Sequence, residues 1–191
     1  MRHGHSEANA AAETSFAAGQ DLKAGLAISM ATLTETGRWQ AESLREQLKV
    51  LQQQEELPEV ELVVSSPLPR AIETAKLIWP EKQMEILDSL RERLLLRPKD
   101  ERPESLESAK RRAQSSFEWL CARPETTIAV VSHKWILQEL LDPVRNRALR
   151  FCAGSSWNQP FEPFANCEMR AFAMDTLRTG SHAVELLRLR P

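Results

Sequence analysis

The 191-residue chain has no tyrosine, no Cys-x-x-Cys pair, no long apolar run and no surplus of charge of either sign. Three of these absences close off classes of function. A net charge of −2 and a pI near 6.1 lack the basic excess of a general nucleic-acid or membrane-surface binder. No stretch approaches the length of a membrane span, and no basic-then-apolar leader opens the chain. A cytoplasmic protein whose partner is neither nucleic acid nor membrane is the expectation. Cys121, Cys152 and Cys167 are odd in number and unpaired in spacing, as buried free thiols in a reducing compartment would be. The absence of tyrosine beside five tryptophans excludes nothing.

What remains is the composition of a soluble globular protein, 42% hydrophobic and 27% charged. The length suits one domain with a real core, taken as residues 1–191. From Thr34 to Leu51 the spacing of Trp39, Leu44, Leu48 and Leu51 predicts an amphipathic helix. Val60–Val64 is a β-branched run that empties into Ser65-Ser66-Pro67, a strand running into a turn. Pro69 suits a helix start, and Arg70–Trp79 reads as a helix cut by Pro80. A strand is expected within Met84–Leu90 and a helix over Ser105–Cys121, striped by Leu106, Ala109, Ala113, Phe117 and Leu120. Thr127–Val131 is the second strong β run, ending in Ser132-His133 before a helical Trp135–Leu141. Ala165–Met174 and Ala183–Leu189 read as late strands. Alternating strand, turn and helix predicts a three-layer α/β/α sandwich with a mostly parallel sheet. Ala10–Met30, Pro98–Pro103 and Leu149–Pro163 are expected as loops.

Open α/β sheets bind ligands beyond the carboxyl ends of their strands. Val64 leads to Ser65, Ser66 and Arg70, and Val131 leads to Ser132 and His133, so spacing directs Arg70 and His133 to one sheet edge. Arg2 and His3 would join them if a strand preceded them. The Lys110-Arg111-Arg112 run is expected to be a solvated helix face, His182 an exposed residue, and His5 pocket lining at most.

Arg2-His3-Gly4-x-Ser6-x-x-Asn9 resembles the signature of the histidine phosphatase superfamily, the phosphoglycerate-mutase-like enzymes. The resemblance continues through Leu33-Thr34-x-x-Gly37-x-x-Gln40-Ala41 and Ser65-Ser66-x-Leu68-x-Arg70-Ala71-x-x-Thr74-Ala75. It extends to Glu92, to Glu104-Ser105, and to Val131-Ser132-His133, spanning roughly residues 2–140 in the family's order. It implies a phosphoglycerate-mutase-like fold and a metal-independent phosphatase of small phosphate monoesters, with no cofactor. His3 would be the nucleophile, forming a phosphohistidine, with its other ring nitrogen held by a carbonyl near Gly4. Arg2 and Arg70 would fork onto the phosphoryl oxygens, His133 would complete the clamp as a charged donor, and Ser6 and Asn9 would add hydrogen bonds. Glu92 would protonate the leaving oxygen, with Glu85, Asp88 or Glu104 as rivals for that role. The alternatives are a catalytically impaired relative that binds phosphorylated ligands or partners, and a mutase-type phosphotransferase.

Two features depart from the family's pattern. The first motif normally ends a central strand, and only Met1 precedes it here, so an N-terminally truncated domain with a missing strand and a loosely held His3 is expected. Lys134 stands where the family usually has glycine.

Overall fold

The computed structural model describes residues 1–18, 30–93, 103–141, 163–174 and 183–191. Three parallel strands form the sheet, β1 (Leu62–Ser65), β2 (Met84–Ile86) and β3 (Ile128–Val131), in the order β2-β1-β3. The residues of β1 alternate between two cores. Val63 joins Ala41, Leu44 and Leu48 of α2 (Glu35–Gln53) and Ala71, Ala75 and Ile78 of α3 (Pro69–Ile78). Leu62 and Val64 join Phe117 of α4 (Leu106–Cys121) and Leu137 and Leu140 of α5 (Lys134–Leu140). Period-two alternation in the strand therefore gives two helical layers around one sheet, the expected sandwich. The remaining strands, β4 (Met169–Met174) and β5 (Ala183–Leu189), pair antiparallel as a ribbon.

Several elements differ from expectation. Helix α1 (Glu7–Ala17) forms where a loop was predicted from Ala10. Its first turn is closed by a Ser6–Asn9 capping box, which supplies the start signal that its weak apolar pattern does not. Trp39 and Leu106 are exposed at 61% and 45%, although both were placed on apolar stripes. The buried line of α2 is Gly37, Ala41, Leu44 and Leu48, in which small residues permit close approach. The strand expected over Met84–Leu90 stops at Ile86, and a 3-10 turn follows at Asp88–Leu90. Cys167 is fully buried and its thiol is pushed up to about 12 by burial, an inert group. The loop expectations at Leu149–Pro163 and Pro98–Pro103 fall mainly, and His182, Cys152 and residues 142–162 wholly, outside the described residues. Among the described residues no helix is long and apolar enough to cross a membrane.

The expectation of a loosely held amino end is overturned. Arg2 bridges Ser132 in parallel, with Ser132 N donating to Met1 O at 3.0 Å and His3 N to Ser132 O at 3.0 Å. On the other side Arg2 N donates to Glu168 O at 3.1 Å and Cys167 N to His3 O at 3.0 Å. Met1 is buried in the first core. Residues 1–3 thus continue the sheet past β3, hydrogen-bonded on both sides. All three residues are anchored through backbone hydrogen bonds, Met1 N also donating to Val130 O at 2.7 Å.

Candidate functional site

Gly4 lets the chain turn off the sheet immediately after His3, close to the start of α2. A methyl group on Gly4 would stand 2.7 Å from Gly37 O, and one on Gly37 only 2.0 Å from His5 O. Both positions must therefore lack a side chain for the two segments to touch. Thr34 N donates to His5 O, and Gly4 N donates to Thr74 Oγ1, which in turn donates to Arg70 O. Helix α3 thereby holds the first motif through Thr74 while presenting Arg70 one turn earlier.

The His3 ring has a defined tautomer. Its Nδ1 lies 2.7 Å from Gly4 O, and a carbonyl can only accept, so Nδ1 carries the proton. The lone pair is left on Nε2, where Arg70 Nε–H donates to it at 3.3 Å. Burial, then the positive charges of Arg70 and Arg2, hold the His3 pKa well below the ordinary histidine range. The ring is a neutral base at pH 7.

His133 caps the amino end of α5, and its ring centroid lies 4.9 Å from that of His3. Its Nε2 shares a 2.7 Å hydrogen bond with Ser66 Oγ in the turn after β1. The surroundings of His133 disfavour the charged state that the resemblance implied. Burial, followed by His3, Arg70 and Arg2, keeps its pKa well below the usual value, so it is a neutral hydrogen-bonding group here. Arg2 reaches Phe164 O with one Nη at 2.9 Å, and its own pKa, like that of Arg70, is lowered chiefly by burial.

Glu92 follows the 3-10 turn. One carboxylate oxygen accepts from Arg93 N at 3.0 Å and the other lies 3.5 Å from Trp135 N in the first turn of α5. Burial raises its pKa; those two amides, Arg70 and Arg2 pull the other way without cancelling it. Arg2, His3, Arg70, His133 and Glu92 therefore lie within one electrostatic neighbourhood at the carboxyl ends of the strands. The rivals of Glu92 are engaged elsewhere: Glu85 with Arg123, Asp88 with Arg91 and Glu104 with Arg112. Ser6 and Asn9 bond to each other as the α1 cap, and Asn9 Oδ1 also accepts from Asn166 Nδ2. His5 lies at the rim between Thr34 and Glu13, and Lys134 Nζ sits 5.8 Å from the Trp135 ring centroid.

Sequence reasoning missed two ion-pair groups beside this pocket. Arg112, expected on a solvated face, is nearly buried in a two-bond pair with Glu104. Glu168 is completely buried and accepts from Arg170, Arg190 and the Ala165 amide. Only Glu104 carried a signal, through the Glu104-Ser105 pair before α4.

Two buried neutral histidines make the fold acid-sensitive. The unfolded chain takes up protons on His3 and His133 as pH falls through about 6.5 while the folded chain does not, so stability falls with pH there. Each contributes up to about 1.4 kcal/mol per pH unit. Glu92, whose folded pKa is raised, binds its proton earlier than the unfolded chain and partly offsets the loss in acid. Urea midpoints at about pH 7.5 and about pH 5.5 should differ, the more acid one being lower. His133→Asn should reduce the difference.

Residues 1–97 match the family profile described as histidine phosphatase superfamily, branch 1. No curated protein matches the chain. Solved structures share the fold at low identity. A candidate α-ribazole-5'-P phosphatase of Escherichia coli is 20% identical with a TM-score of 0.68, over 97% of this chain and 92% of that one. A phosphoserine phosphatase variant of Entamoeba histolytica, in complex with phosphoserine, is 20% identical with a TM-score of 0.61, over 98% and 93%. A mycobacterial glucosyl-3-phosphoglycerate phosphatase, complexed with VO3, is 17% identical with a TM-score of 0.61, over 96% and 94%. The motif, the sheet that carries it and the profile match agree, and the chain belongs to the histidine phosphatase superfamily.

Proposed function

We propose that the protein is a phosphatase of small phosphate monoesters that works through a phosphohistidine on His3. The observation that carries this reading is the His3 ring itself: neutral, fixed as the Nδ1–H tautomer by Gly4 O, with its Nε2 lone pair turned to Arg70. That is the state a nucleophilic imidazole requires. Arg70, Arg2 and His133 can bind phosphoryl oxygens around Nε2, and each such donor is worth about 2.7–4 kcal/mol of barrier. Attack forms the N–P bond and breaks the ester P–O bond, while the Glu92 proton passes to the departing oxygen. Water then attacks phosphorus, Glu92 takes its proton, and the N–P bond breaks to release phosphate. Burial raises the pKa of Glu92, the direction that suits a proton donor. The phosphatase names borne by proteins of the same fold favour hydrolysis. The anchoring of residues 1–3 favours an active enzyme over an impaired relative.

The test is capture of the intermediate. After mixing with p-nitrophenyl phosphate and an alkaline quench, a phosphoprotein stable in alkali and lost in mild acid is expected. With methanol as a competing acceptor, every ester should give one ratio of methyl phosphate to phosphate. Ratios that change with the ester, and no captured phosphoprotein, would exclude a shared intermediate.

A further inference from the structure

The segment leading into Glu92 is held in an unusual way. Three consecutive carbonyls are each bonded by a side chain from another part of the chain. One Nη of Arg112 donates to Ser89 O at 2.6 Å and to Arg91 O at 2.7 Å, and Ser132 Oγ donates to Leu90 O at 2.6 Å. Arg112 is itself immobilised by Glu104, which accepts from its Nε at 3.0 Å and its other Nη at 2.7 Å. Ser116 Oγ donates to Ser89 Oγ at 2.6 Å, adding a bond from the same helix. The Leu90 side chain is fully buried in the second core, so the turn can neither slide nor rotate freely.

Ser132 links this turn to the nucleophile. Its amide and carbonyl bond Met1 O and His3 N, its hydroxyl bonds Leu90 O, and the next residue is His133. A single residue therefore spans the backbone that carries His3 and the backbone that carries Glu92. We infer that Arg112 and Ser132 are positioning residues, which set the reach from the Glu92 carboxyl to an ester oxygen bound at His3. Neither touches the reacting atoms. The inference rests on Glu92 as the acid, the role proposed above.

The consequence is selective. A proton from Glu92 is needed when the departing group is a poor one, an alkoxide, and hardly at all when it is a stable phenolate. A displacement of about 1 Å in a reacting group can cost about 100-fold. Loosening the clamp should therefore slow alkyl esters and spare activated aryl esters. Loss of folded protein would lower both rates equally, so the ratio of the two rates does not depend on how much enzyme is folded.

The experiment measures kcat/KM for dinitrophenyl phosphate and for glycerol phosphate with S132A, R112K and E92Q. For S132A and R112K, the glycerol phosphate rate should fall about 10- to 100-fold more than the dinitrophenyl phosphate rate. E92Q should show the same selectivity, more strongly. Adding S132A to E92Q should then change the ratio little, since the two act as a unit. If E92Q leaves the ratio unchanged, the acid role itself is wrong and the inference falls with it. If E92Q shifts the ratio while S132A and R112K lower both rates in parallel, the acid role stands and the clamp only stabilises the fold. That outcome overturns the positioning role alone.

Discussion

Replacing His3 with alanine is expected to lower kcat by roughly four to six orders of magnitude, the scale of losing a covalent nucleophile. The residual rate would come from Arg70, Arg2 and His133, which could still bind and polarise the phosphoryl group without a nitrogen to receive it. KM should change far less than kcat. The variant also removes the acceptor of the Arg70 Nε–H bond and one of the two buried neutral imidazoles, so its unfolding should depend less on acid than the parent's. Added free imidazole, small enough to enter the space left behind, should restore part of the rate. The decisive measurement is single-turnover kinetics with p-nitrophenyl phosphate. A variant that kept more than about one-hundredth of the rate would point to direct attack by water.

The second large effect concerns stability. Glu168→Ala should destabilise the fold by about 3–5 kcal/mol, because it removes one partner of a fully buried ion pair. The Arg170 and Glu168 side chains are both fully buried and joined by a 2.6 Å bond, with Arg190 at 3.1 Å on the other carboxylate oxygen. Burial raises the Glu168 pKa, but the Ala165 amide and Arg170 outweigh it and hold the carboxyl below its ordinary range. Against a typical total of about 5–15 kcal/mol, the loss threatens folding at moderate temperature. The check is urea unfolding, in which the midpoint should fall with little change in slope. Changing both partners together, Glu168→Leu with Arg170→Met, should cost markedly less than the single change, since both members of the fully buried pair are removed and Arg190 is half exposed. Because Glu168 O also accepts from Arg2 N, the single variant should lose activity along with stability.

The parts of the fold that were legible in the sequence are those whose cause is local. β1 and β3 follow from β-branched runs that end in Ser-rich turns, and their carboxyl ends point to Arg70 and His133 without any template. The carbonyl that holds the other ring nitrogen of His3 was implied by the family resemblance, and Gly4 O lies 2.7 Å from Nδ1. The face of α2 was misread because large apolar residues were counted. Packing there is decided by Gly37 and Ala41, which admit the His3 loop, and Trp39 is left outside. Arg112 looked solvated beside Lys110 and Arg111, yet its partners are a glutamate before the helix and two carbonyls some twenty residues back. The Glu168 group could not be foreseen, since its cations come from two strands of a ribbon whose pairing no local pattern records.

The place of His3 in the sheet has a consequence for how the pocket assembles. His3 is bonded through its backbone to Ser132 and Cys167, each well over a hundred residues further along the chain. Loops of well over a hundred residues must close before that imidazole has a place, and distant closures of this kind are slow steps. The unit of β1, α3 and β2 can form from sequence-local contacts before residues 1–3 find their partners. The pocket is therefore assembled late: His3 is set in place only once the turn after β3 and the segment before β4 have both reached it.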